Sequence, residues 1–191
     1  EAGAAKLAIT HCSLFDSVSG TMQDDRTIIV DGARITAIGT PSVPVSIPPG
    51  ARVIDGQGKY VIPGLIDAHC HLSFLLNNQG VNGDDMLPLY LGNGVTSVRD
   101  IGDPIVREKA LADFAAAHPE SCPTVFMCSP LIDGQPPFYP TAGIALTDPD
   151  QVPAFVDEMV SYGVTTLKLY IGVSPEVFAR VVQEGHNHGL V

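Results

Sequence analysis

Over the first sixty residues apolar and polar positions alternate in short runs, and a longer rhythm then takes over. Leu7 to Phe15 reads as a strand. Thr27-Ile-Ile-Val30, Asp31-Gly32 and Ala33-Arg-Ile-Thr-Ala-Ile38 give the Asp-Gly hairpin signal between two alternating runs. Val53-Ile54, Asp55-Gly56 and Tyr60-Val-Ile62 repeat that theme. Between them Pro41, Pro44, Pro48 and Pro49 confine 41–50 to a loop or a sheet edge, since proline has no N–H to give to a ladder. The pattern predicts a small all-β unit over residues 1–62.

From Pro63-Gly64 the rhythm becomes strand, loop, helix. Leu65–Leu72, Val95–Ile101, Thr124–Cys128 and Val164–Tyr170 are strand-sized and rich in β-branched residues. Asp103-Pro104 predicts an N-cap and first-turn proline, with Val106, Ala110, Leu111, Phe114 and Ala115 apolar and His118-Pro119 as the stop. A second helix is predicted from Asp148-Pro149 to Gly163, with Val152, Phe155, Val156, Met159 and Val160 on one stripe. A third runs from Ser174-Pro175 through Phe178, Val181 and Val182 to Gly185 or Gly189. Such alternation implies parallel strands with crossover helices over residues 63–191. A doubly wound sheet and a closed barrel both begin this way. A barrel takes about 250 residues, so the sheet is open or half of a barrel is missing.

With 191 residues, 45% hydrophobic and 16% charged, the chain can bury a real core. Acidic residues outnumber basic ones by 21 to 10, and the basic ones are scattered; nucleic acid and anionic membrane are therefore excluded as expected partners. No apolar run approaches the ~20 residues of a membrane helix. Glu1 reads as a processed start or a boundary, which leaves the compartment open. Cys12, Cys70, Cys122 and Cys128 lack CxxC spacing and are expected to be free, mostly buried thiols.

His69-Cys70-His71 is the sharpest chemical feature. Residues two apart on a strand share a face, so both imidazoles project together as a metal-ligand pair, with Asp67 on the same side to orient a ring. The bland alternative is two polar residues meeting solvent at a strand end. Lys168 lies in Thr165-Thr-Leu-Lys-Leu-Tyr170, a strand expected to be covered on at least one face. A buried amine is neutral part of the time, and a neutral amine can add carbon dioxide to become a carboxylate-like carbamate. Otherwise Lys168 snorkels out of the sheet end.

These segments resemble a family. Val61-Ile-Pro-Gly-Leu-Ile-Asp-Ala-His-Cys-His-Leu72 after a small β unit is similar to the HxH signature of the amidohydrolase superfamily. Gly94-Val-Thr-Ser-Val-Arg-Asp100 and Thr165–Tyr170 resemble the second and fourth barrel strands of its prolidase-like and imidazolonepropionase-like branch. The resemblance implies the first half of a metal-dependent (β/α)8 TIM barrel behind a small, incomplete β-sandwich. It implies that His69 and His71 hold a divalent metal, zinc above all, as one or two ions, with a carboxylated Lys168 as the bridge. The expected activity is hydrolysis of an amide bond, in a dipeptide or a cyclic amide, by a metal-activated hydroxide. The family completes its site with histidines on strands five and six and a general-base aspartate on strand eight. All three lie beyond Val191, so the fragment is expected to be inactive alone and to pair with the missing half or another copy.

Asp100 and Tyr170 are expected to border the substrate; for Asp100 the alternative is a structural ion pair with Arg99. His186-Asn-His188, at the end of a helical pattern, reads as a helix C-terminus. Leu131–Thr147 is long for a βα loop and is either a lid or an ordered surface loop. Two other functions remain open, a noncatalytic assembly module of the same fold and a metal-free α/β binding domain. No Gly-rich phosphate fingerprint supports a nucleotide version of the latter.

Overall fold

The computed structural model describes residues 6–73 and 80–190; Glu1 and Val191, which carry the expectations about the chain ends, lie outside the described residues. The chain divides into two compact units, Glu1–Pro63 and Gly64–Val191.

The first unit is one mixed sheet of β1 (Lys6–Asp16), β2 (Thr21–Asp31), β3 (Arg34–Gly39), β4 (Arg52–Asp55) and β5 (Tyr60–Val61), in the order β3-β2-β1-β4 with β5 also on β1. The Asp31-Gly32 hairpin forms as expected, antiparallel between β2 and β3, with Gly32 at φ +59° supplying the turn. The second Asp-Gly signal is corrected. β4 and β5 do not pair with each other; both lie parallel to β1. Gly56 holds the chain there, donating its N–H to Thr10 O at 2.7 Å, and a Cβ on it would sit 2.8 Å from Cys12 Cβ. Ala8, Cys12, Ile28 and Ile29 are this unit's buried apolar residues.

The second unit carries a parallel sheet of β6 (Leu65–Cys70), β7 (Val95–Gly102), β8 (Thr124–Asp133) and the short β9 (Gly143–Ala145). The helices are α1 (Gly83–Gly92), α2 (Ile105–Ala117), α3 (Val152–Tyr162) and α4 (Pro175–Asn187). α1, which accommodates Pro88, is not among the predicted helices, although Asn82 stands at its N-cap and Asp84 and Asp85 in its first turn. α3 and α4 follow their signals: Asp148 Oδ1 accepts Asp150 N–H at 2.9 Å in the turn leading into α3, Ser174 Oγ caps α4, and Gly163 at φ +86° ends α3. Val152, Val156, Val177 and Val181 then interlock with Ile132 and Leu146 as one buried cluster. The stripe predicted for α2 is corrected at one end, because Val106 is exposed while Glu108 faces inward with Leu111 and Ala115.

Two strand predictions change. β8 does not stop at Cys128 but continues through Pro130 to Asp133, wholly buried from Met127 on. Val164–Tyr170 does run parallel to β8, but only isolated bridges form, Cys128 to Thr166 and Ile132 to Leu169. The reason is an extra residue in β8: four steps there match three on the partner, which breaks the ladder. All four cysteines are buried and free, as expected, and burial pushes the Cys128 thiol up to about 12.

Candidate active site

Parallel strands end together, so residues far apart in sequence meet at one edge of the sheet. His69, near the end of β6, and His71, just beyond it, line a cavity of about 400 Å³. Their rings stand edge to face with centroids 5.3 Å apart, while Cys70 between them points into the core, as strand parity requires. Lys168 and Tyr170 line the same cavity from the fourth parallel segment. Thus four of the five residues singled out by the sequence border one space.

The fifth, Asp100, does not. It is fully buried, and its oxygens accept the N–H of Leu72 at 2.7 Å, the N–H of Ser73 at 3.2 Å and the hydroxyl of Ser73 at 2.9 Å. Nor does it pair with Arg99, whose Nε donates to Ala68 O at 2.9 Å. Asp100 instead caps the chain leaving β6, behind the histidines. Asp67 likewise serves the main chain, accepting the His69 N–H at 3.1 Å. His188 takes the C-cap position of α4, with Nε2 3.1 Å from Asp157 Oδ1, so the second HxH is a helix terminus.

Sequence reading missed Asp103, Gly102, Tyr139 and Ala142, all of which line the cavity. The Asp103-Pro104 pattern predicts a helix cap at Asp103, but α2 begins at Ile105 with Pro104 in the cap position. Its carboxylate is buried and lies 4.0 Å from His71 Nδ1. The detectable signal was its place one residue past a strand's C-terminal end. Gly102, at φ +83°, is required by close packing, since a Cβ there would meet Leu131 Cδ2 at 2.3 Å.

The start of the supposed lid is buried strand. Asp133 anchors the rest, its carboxylate accepting Gly134 N–H at 2.9 Å, Gly172 N–H at 2.7 Å and Phe138 N–H at 2.8 Å. Burial would raise its pKa, but these N–H groups together hold it below the usual carboxylate value. The anchored loop brings Phe138 and Tyr139 beside Tyr170, with ring centroids 4.9 to 6.1 Å apart. Burial, then the charge of Tyr139 and a hydrogen bond with it, raise the Tyr170 phenol.

Burial pushes His71 below the ordinary imidazole range; Asp100 opposes this, and His69 and Lys168 reinforce it. A neutral imidazole is the ligating form. Among the described residues no group of three His, Cys, Asp or Glu surrounds a single point. In chemical type the donors nevertheless fit a zinc-like cation: two imidazoles, and a lysine whose carbamate would add oxygens. Glu108 lies buried behind this region; burial, then the Asp100 charge, push its pKa up to about 10, so its carboxyl is protonated at neutral pH.

No family model matches the chain. It is 34% identical over 102 residues to an adenine deaminase of Staphylothermus marinus, covering 52% of the chain and 16% of that protein. It is 46% identical over 52 residues to an imidazolonepropionase of Rubrobacter xylanophilus, covering 26% and 12%. Among solved structures, a protein of Bifidobacterium longum provisionally named a prolidase superposes with a TM-score of 0.80 at 28% identity, over 99% of this chain and 49% of that one. Phenylurea hydrolase B shares the fold at 23% identity and a TM-score of 0.80, over 97% and 54%. The chain spans about half the length of these two structures and a small part of the curated relatives.

Proposed function

Because this chain belongs to the amidohydrolase superfamily by fold and by sequence similarity, we propose that it forms the metal-binding part of an enzyme that hydrolyses an amide-type C–N bond. The observation that carries this is the convergence of His69, His71 and Lys168 on one cavity. His69 and His71 would hold a divalent cation, zinc above all, as one or two ions, and Lys168 as its carbamate would supply further oxygen donors. Such a cation supplies Lewis acidity toward water and toward the scissile carbonyl.

The remaining roles belong to the chain's own residues. Neutral His71 offers a lone pair without first losing a proton, and Asp103 beside it steadies the ring. Lys168 adds to the carbon of carbon dioxide through its amine nitrogen, losing a proton and becoming an anion. Tyr139, Tyr170 and Leu131 wall the cavity with apolar surface against bulk water and position a small substrate. A dipeptide or a cyclic amide fits this description. A general base and further donors come from the rest of the whole protein, as does much of the substrate specificity.

Zinc content of the chain after equilibrium dialysis in bicarbonate buffer tests the reading. Wild type is expected to retain zinc that His69→Ala and His71→Ala lose and that Lys168→Met reduces. Equally low content in all four would sink it.

A further inference from the structure

We propose that Ser129 is a positioning residue that aims Lys168 at the cavity, with Glu108 as its brace; this rests on the role proposed above for Lys168. Along a regular parallel ladder the Lys168 N–H would find a main-chain carbonyl of β8. It finds the Ser129 hydroxyl instead, at 2.9 Å. On either side the main-chain bonds are ordinary: Ser129 N–H to Thr166 O at 3.0 Å, and Ile132 N–H to Lys168 O at 2.8 Å. Two residues on the lysine segment are therefore matched by three in β8, and the surplus falls at Pro130, which has no N–H to satisfy.

The irregularity is fully bonded. Ser129 is completely buried, and its hydroxyl donates to Pro130 O at 3.0 Å while accepting from the Lys168 N–H. One residue earlier, the Cys128 N–H donates to Glu108 Oε1 at 2.6 Å, tying the bulged strand to α2. The break appears on the other side too, where Asp100 matches Met127 but Gly102 matches Pro130. Bulges re-aim side chains by locally increasing twist. Here the re-aimed residue is Lys168, which packs past Gly102, where a Cβ would come 3.5 Å from Lys168 Cγ.

A double-mutant cycle on the full chain separates aiming from general stability. The variants are Ser129→Ala, Lys168→Met and the pair, read by zinc affinity in bicarbonate and by amide hydrogen exchange at Lys168. Ser129→Ala is expected to speed Lys168 amide exchange at least ~10-fold relative to that of Val98, and to weaken zinc about 10-fold. Adding it to Lys168→Met is expected to cost no further affinity. Glu108→Gln, which keeps the acceptor oxygen, should behave as wild type where Glu108→Leu follows Ser129→Ala. Unchanged exchange at Lys168, or an equal affinity loss in both backgrounds, would overturn the proposal. If Lys168→Met itself leaves zinc affinity unchanged, the role of Lys168 in the proposed function falls, and amide exchange still decides whether Ser129 holds the lysine backbone.

Discussion

The buried carboxylate of Asp103 lies 4.0 Å from Nδ1 of His71, across the gap between adjacent strand ends. That is too long for a hydrogen bond, and burial already keeps the imidazole toward its neutral form. On the role proposed for His71 as a ligand, the carboxylate beside it steadies the ring. Asp103→Ala is expected to weaken zinc binding by about 10–100-fold, measured by competition with a chromophoric chelator. Unchanged affinity would remove Asp103 from the site.

Asp100 is expected to matter for stability and not for ligand contact. Its two oxygens satisfy the N–H groups of Leu72 and Ser73 and the Ser73 hydroxyl, all buried. Asp100→Ala should cost about 3 kcal/mol in urea unfolding, with Asp100→Asn losing less. A full-stability Asp100→Ala protein would contradict the capping role.

Gly102→Ala should cost about 2 kcal/mol, because the backbone is at φ +83° and the new methyl would meet Leu131 Cδ2. Thermal melts of the two proteins read this directly. Leu131→Ala in the same background should recover part of the steric portion and none of the backbone portion.

Asp133 predicts an acid-side transition. Its folded pKa is depressed, so its contribution is complete above the unfolded value near 3.8 and is lost as pH falls through the lower folded value. Wild type should exceed Asp133→Ala by about 1–3 kcal/mol at neutral pH, and the gap should close on acidification. A gap independent of pH from neutrality down through the acid range would show that its carboxylate charge is not what holds the loop.

Much of this molecule was legible from local pattern. The Asp31-Gly32 turn, the caps at Asp148 and Ser174 and the stop at Gly163 depend on a few neighbouring residues, and each appears where its chemistry calls for it. So does the pairing of His69 with His71, which needs only the two-residue period of a strand. The signals that misled were those with two uses. Asp55-Gly56 can turn a hairpin or hug a neighbouring strand, and Asp103-Pro104 can cap a helix or place a carboxylate behind a site; the choice belongs to whatever packs alongside.

Chain-local chemistry therefore settles which residues are able to act together, because backbone geometry and side-chain period operate within a few positions. Which of them do meet is settled by long-range register. Lys168 reaches the histidines' cavity because parallel strands end on one edge and because a surplus residue at Pro130 shifts the ladder, while Asp100, on β7, is turned inward to accept the N–H groups of Leu72 and Ser73. Those N–H groups and that shift come into being only when the strands are packed side by side.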